Sequence, residues 1–150
     1  MNSVHTNMEA KHIDMREIKF RAKNMARNHK WTFGSLITYP DGCADIHGLD
    51  IMRTGSGRIE FMQVNLETAG QFTGLKDKNG TEIYEGDVIQ WDKDKKLYVV
   101  VFRNGMFYAS VEECNHKIYG GFPLWFLCEE EQHCVVVGNR YDNADLLIVK

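Results

Sequence analysis

The sequence predicts a mainly β fold, rich in strands and with only short helices. Three observations carry that expectation. Apolar and polar residues alternate in several short runs, the two-residue period of a half-buried strand. Asn79-Gly80 and Asn104-Gly105 are tight-hairpin dipeptides, since both central positions of such turns favour φ > 0. No heptad pattern or internal repeat competes, and no apolar run approaches the roughly 18 residues of a bilayer span.

Residues 1–14 are polar and without period, so they read as a flexible N-terminal tail. Met15 then stands as an alternative start to Met1. REIKFRA (16–22) alternates, with Ile18, Phe20 and Ala22 on one face and Lys19 and Arg21 on the other. WTFGSLIT (31–38) follows as its hairpin partner, and Tyr39-Pro40-Asp41-Gly42 is a turn. CADIHGLDIMR (43–53) fits no single period. Thr54–Gly57 reads as a turn, and RIEFMQV (58–64) as a strand with Ile59, Phe61 and Gln63 on one face. Asn65-Leu66-Glu67-Thr68 places an N-cap residue before an acid, which predicts one helical turn. Residues 15–67 therefore read as an N-terminal β layer.

Residues 68–150 read as a small barrel part. DVIQW (87–91) and KLYVVVF (96–102) are strands joined by a charged turn at 92–95, and Asn104-Gly105 leads into MFYASV (106–111). Short strands with tight turns near residues 70–140 predict a small SH3-like barrel, with HCVVVGN (133–139) as its closing strand. Pro123 fits the first position of a short helix, LWFLCEEE, with Trp125 and Phe126 as core or interface anchors. Residues 143–147 read as a further helical turn.

The chain has 150 residues and a formal net charge of −3, which argues against general nucleic-acid binding. The charge is uneven. Residues 1–30 carry +4 and the remainder −7, so a basic arm precedes an acidic body. There is no apolar leader segment, so Cys43, Cys114, Cys128 and Cys134 read as reduced thiols in a bacterial cytoplasm.

Four stretches together carry a resemblance. MREIKFRA (15–22), WTFGSL (31–36), TAGQFTGLKDKNGTEIYEGDVIQW (68–91) and VVVGNRYDNADLL (135–147) resemble the YopX family of phage and prophage proteins. The likeness runs from Met15 to the end. Its densest part contains Gly70, Gln71, Phe72, Thr73, Gly74, Leu75, Asp77, Asn79, Gly80, Tyr84, Glu85, Gly86 and Asp87. The resemblance implies a β-rich, oligomeric phage protein and brings no catalytic residues with it. Lys23 and Arg140 stand where that family often has Trp and an apolar residue, and neither change breaks a glycine or a strand face.

Each candidate chemistry meets a plainer reading. DKNGTE (77–82) hints at a calcium loop, but setting Gly80 at loop position six puts Leu75 at one and Gly86 at twelve, where carboxylates belong. A solvated turn is the better reading. RTGSGR (53–58) lacks the following helix whose N–H groups would cradle a phosphate. Cys114, His116, Cys128, His133 and Cys134 offer zinc ligands, but not at the paired spacing of a structural site, so no metal and no cofactor is expected. Asp45 and His47 are a local acid–imidazole pair without a nucleophile motif. Trp31, Trp91, Trp125, Tyr108 and Phe107 would make an aromatic platform for single strands only beside a basic groove.

The reading that results is a non-enzymatic accessory protein acting through protein binding or self-assembly. Arg16, Lys19, Arg21 and Trp125 are its candidate contact residues. Nucleic-acid binding, and a nucleotide-binding protein or small enzyme, are the alternatives. No membrane partner is expected.

Overall fold

The computed structural model describes residues 16–26, 29–49, 59–112, 118–129 and 133–147. The expected tail, the whole RTGSGR loop, Cys114 and His116 lie outside them. Two antiparallel sheets account for the strands. The first comprises β1 (Phe20–Asn24), β2 (Trp31–Thr38), β3 (Ala44–Leu49), β4 (Ile59–Lys76) and β5 (Glu82–Tyr84). The second comprises β6 (Asp87–Trp91), β7 (Leu97–Arg103), β8 (Met106–Glu112), β9 (Ile118–Pro123) and β10 (Cys134–Asn139), in the order β10-β6-β7-β8-β9. A one-turn helix, α1 (Leu124–Leu127), follows β9, and a 3-10 turn spans Ala144–Leu147.

The mainly β class holds. β1 and β2 pair as the expected hairpin, with Phe20 opposite Gly34. β1 also pairs with β4, so the first sheet folds back on itself. The segment expected to close a barrel, β10, lies beside β6. Among the described residues no pairing joins β10 to β9, and the second sheet stays open. The boundary drawn between residues 67 and 68 falls inside β4, which runs unbroken across it.

Three local expectations need correction. Asn65–Thr68 is not a helical turn but part of β4. Its short polar side chains are used locally all the same: Asn65 Oδ1 accepts from Glu67 N–H, and Thr68 Oγ1 donates to the Asn65 carbonyl. The result is a bulge, with residues 66–69 opposite the single residue Ala22 of β1. Thr68 Oγ1 also accepts from Lys23 N–H at 2.9 Å, so the bulge keeps its hydrogen bonds. Second, Ile18 precedes β1 and is exposed; the inward residues are Phe20 and Ala22. Third, α1 is shorter than LWFLCEEE, and Pro123 ends β9 one position before it. Leu124 and Leu127, three apart on one face, anchor that single turn in the core.

The Asn-Gly pairs also part ways. Asn104 and Gly105 both have positive φ, as the tight hairpin between β7 and β8 requires. At Asn79-Gly80 only Gly80 does. There the turn is held by Asp77, whose Oδ1 accepts from Asn79 N–H and Thr81 N–H.

The core is in two pieces. The larger gathers Ile83, Ile89, Trp91, Tyr98, Val100, Leu124 and Leu127 under the second sheet, with Ala109 and Cys134. The smaller holds Ala22, Ala44, Ile46 and Val64 inside the first. Among the described residues no helix is long and apolar enough to cross a membrane.

Candidate functional site

The dense block at residues 70–87 is the seam where the two sheets meet, and its residues have mechanical roles. Glu85 N–H donates to the Gln71 carbonyl, and Phe72 N–H to that of Lys19. A Cβ on Gly70 would lie 2.3 Å from the Glu85 carbonyl oxygen, so only glycine allows that approach. Thr73 Oγ1 donates to the Ile83 carbonyl and accepts from Leu75 N–H. Gly86 has φ +85 and exchanges bonds with both neighbours: its N–H donates to Val100, and its carbonyl accepts from Arg140. Gly74 also takes a positive φ. Asp77 Oδ2 accepts from Val136 N–H at 3.0 Å, which ties the turn to β10. Both its oxygens thus serve backbone donors, which leaves the calcium reading without its central ligand.

At the middle of the seam lies a buried ion pair. Arg21 Nη2 donates to Asp87 Oδ1 at 2.5 Å, and the Asp87 side chain is 2% exposed. Asp87 Oδ2 accepts from Tyr84 N–H at 2.8 Å. The guanidinium carbon stands 4.6 Å from the centre of the Trp31 ring and 5.0 Å from that of Tyr84, so the cation is held between two aromatic rings. Burial pushes the Asp87 carboxyl up, against the pull of Arg21 and the Tyr84 N–H. Burial, and then the neighbouring Glu82, push the Tyr84 phenol well up.

Two further links flank the pair. Lys19 Nζ reaches Glu82 at 2.7 Å and Glu17 at 3.2 Å. Lys23 pairs with Asp142, which also accepts from Trp31 Nε1 at 2.7 Å and Asn139 Nδ2 at 3.0 Å. Chiefly through Lys23, these donors hold the Asp142 carboxyl down at about 2. So the cations Lys19, Arg21 and Lys23 of the expected basic arm have carboxylate partners within the chain. Of the candidate contact residues, Arg16 and Trp125 are exposed, and the Arg16 guanidinium lies 5.8 Å from the Phe107 ring centre.

The surface that stands open continues from the seam along the outer face of the first sheet. Ser35 pairs with His47 and His47 with Phe61; Ile37 pairs with Asp45 and Asp45 with Gln63. Cross-strand partners share a face, so these rows look outward together, and Phe33, on the same face opposite Arg21, adjoins the seam with its ring edge-on to Tyr84, centres 5.7 Å apart. Phe61 is 67% exposed, Phe33 50% and Ile37 39%. The His47 ring packs edge-on against Phe61, centres 4.2 Å apart. Beside it an open cleft of ≈ 520 Å³ is bordered by Met25, Leu66 and Gln63, with Asp41 and Glu67 at its rim. The sequence grouped Phe61 with Gln63 correctly. It held no sign that this face points to solvent, because the inward side is set when β1 pairs with β4 at long separation and closes the sheet around Ala22, Ala44, Ile46 and Val64.

The remaining candidates do not assemble. Asp45 accepts from the Tyr39 hydroxyl at 3.0 Å, while His47 Nε2 is buried with no partner among the described residues. Trp91 is core and Trp31 belongs to the seam, so the tryptophans are dispersed rather than a platform. Cys128 and Cys134 place their sulfurs 3.5 Å apart, and the bond to Cys134, with burial, raises the Cys128 thiol. Among the described residues no three His, Cys, Asp or Glu side chains gather as a metal site.

Comparison with known proteins fits this architecture. No curated protein sequence matches the chain. Among solved structures, the crystal structure of protein EF1440 from Enterococcus faecalis is similar, with a TM-score of 0.56 and 21% identity over 89% of this chain and 100% of that one. That likeness shows a shared fold. The family model described as YopX protein matches residues 19–148, which takes in both sheets and the whole seam. The chain belongs to the YopX protein family.

Proposed function

We propose that this chain is a non-enzymatic phage or prophage accessory protein of the host cytoplasm, acting by binding protein through the outer face of its first sheet. The partner is a host or phage protein or a second copy of the chain. The carrying observation is the row of large apolar side chains, Phe33, Ile37 and Phe61, left exposed in register on one face. Contiguous exposed apolar surface of this kind is characteristic of interaction sites. The adjoining cleft, with apolar walls and acidic rim at Asp41 and Glu67, suits a segment that presents an apolar side chain flanked by a base. Internal pairing of Lys19, Arg21 and Lys23 favours protein over nucleic acid as the partner.

The test is native mass spectrometry and sedimentation of the gently purified chain, beside a Phe33→Ser/Phe61→Ser variant. The proposal expects a self-assembled or protein-bound species that the variant loses. A retained oligonucleotide or nucleotide, or a species unchanged in the variant, would overturn it.

A further inference from the structure

The second sheet carries a separate feature on the side away from its core. Tyr98, Val100 and Ala109 pack inward, so by strand alternation Val99, Val101 and Arg103 of β7, and Tyr108 and Ser110 of β8, face the other way. There Val101, Arg103, Tyr108 and Ser110 border a cleft of ≈ 260 Å³ whose far wall is Gly120-Gly121 of β9. Ser110 sits opposite Gly121 in the register.

Four properties make this more than a groove. Ser110 is 1% exposed, and its Oγ is buried with no hydrogen-bond partner among the described residues, a state that is rare in native proteins. Arg103 is exposed at the mouth and makes no ion pair or hydrogen bond among the described residues. Among the described residues no carboxylate lines the cleft, and Tyr108 and Asn104 add a hydroxyl and an amide to it. At Gly121 its far wall must stay bare backbone. A Cβ at Gly121 would lie 2.6 Å from the Ala109 carbonyl oxygen, whereas at Gly120, with φ +82, it would meet nothing within 4 Å.

We propose that this cleft binds the oxyanion group, phosphate or carboxylate, of a small ligand. The Arg103 guanidinium supplies charge and a planar fork of donors that matches such a group. The Tyr108 hydroxyl and Asn104 amide add neutral donors from the walls. Ser110 gains its missing partner by a staggered χ1 turn toward the occupied cleft. The ligand is small, because the cleft has room for one such group and a short attached body.

The experiment is a titration of the full chain followed by 1H–15N correlation spectra. The probes are sodium phosphate and sodium succinate, each matched against sodium chloride at equal ionic strength. The expected result is saturable movement of the Gly120, Gly121 and Ser110 amide signals with at least one probe, which also identifies the source of the oxyanion. Arg103→Gln should weaken that binding at least about tenfold, and Ser110→Ala roughly five-fold. Neither variant should unfold, since Arg103 is exposed and the Ser110 hydroxyl has no partner to lose among the described residues. No saturable movement with either probe, or affinity unchanged in Arg103→Gln, would overturn the proposal.

Discussion

The two sheets are built on unequal cores. The second buries Trp91, Tyr98, Leu124 and Leu127 with Ile83, Ile89 and Val100. The first has Ile46 and Val64 as its larger fully buried side chains, beside Ala22 and Ala44. A buried Leu or Ile contributes about 1.5–3 kcal/mol, and an alanine far less. The first sheet therefore leans on the second, through polar links along β1 that a larger core would not need. Arg21 and Lys23 reach carboxylates at the second sheet, Asp87 of β6 and Asp142 just after β10, while Lys19 reaches Glu82 of β5 within its own sheet. The difference teaches that one sheet is the platform and the other is fastened to it, with its aromatic face left outward.

The largest expected effect comes from cutting the central fastening. Asp87→Ala leaves the Arg21 cation buried between Trp31 and Tyr84 without its carboxylate. Loss of one partner from a buried pair costs about 3–5 kcal/mol. Urea unfolding followed by tryptophan fluorescence should show that loss, with Trp31 in the first sheet released before Trp91 in the second. A loss below about 1 kcal/mol would mean that the first sheet stands by itself.

Next is the platform. Leu127→Ala removes a fully buried side chain of α1 and should cost about 2–5 kcal/mol, including the cavity left behind. Because the first sheet depends on the second, both tryptophans should respond at one urea concentration in this variant. Separate transitions there, with the first sheet outlasting the second, would reverse the proposed dependence.

The strands were legible because their signals are local. Alternation marked β1, its hairpin marked β2, and short strand-forming runs between tight turns, Asn104-Gly105 among them, marked β6, β7 and β8. What was not legible depends on partners distant in sequence. Asn65 and Thr68 carry helix-cap chemistry, and β1 turns it into a bulge by pairing on both sides of residues 66–69. Lys19, Arg21 and Lys23 looked like a free basic arm because nothing near them in sequence names Glu82, Asp87 or Asp142. A signature block such as 70–87 looks like a site for the same reason. Its glycines and Asp77 satisfy close approaches and backbone donors that appear only once the sheets meet.

A smaller effect should come from acid. The Asp142 carboxyl is held at about 2 in the folded chain, below the roughly 3.9 of an unfolded aspartate. A depressed carboxyl contributes stability that is present above the unfolded value and lost as pH falls toward the folded one. Stability should therefore decline between about pH 4 and about pH 2, more steeply in the native sequence than in Asp142→Asn. The difference should be modest, because the Asp142 side chain is 39% exposed and solvent screens it. Parallel acid limbs for the two proteins would show that the Lys23–Asp142 link adds nothing to the seam.

The smallest effect on stability should come from the outer face. Phe61 is exposed, touches His47 across the strands and reaches neither core cluster, so Phe61→Ser should change unfolding free energy by no more than about 0.5 kcal/mol. The same substitution should reduce capture of the protein partner, since an exposed aromatic is the kind of residue that anchors an interface. A variant that keeps its urea midpoint and loses its assembly would separate fastening from binding within one sheet. A variant that loses both would place Phe61 in the structure of the first sheet, and the outer face would no longer be a free surface at all.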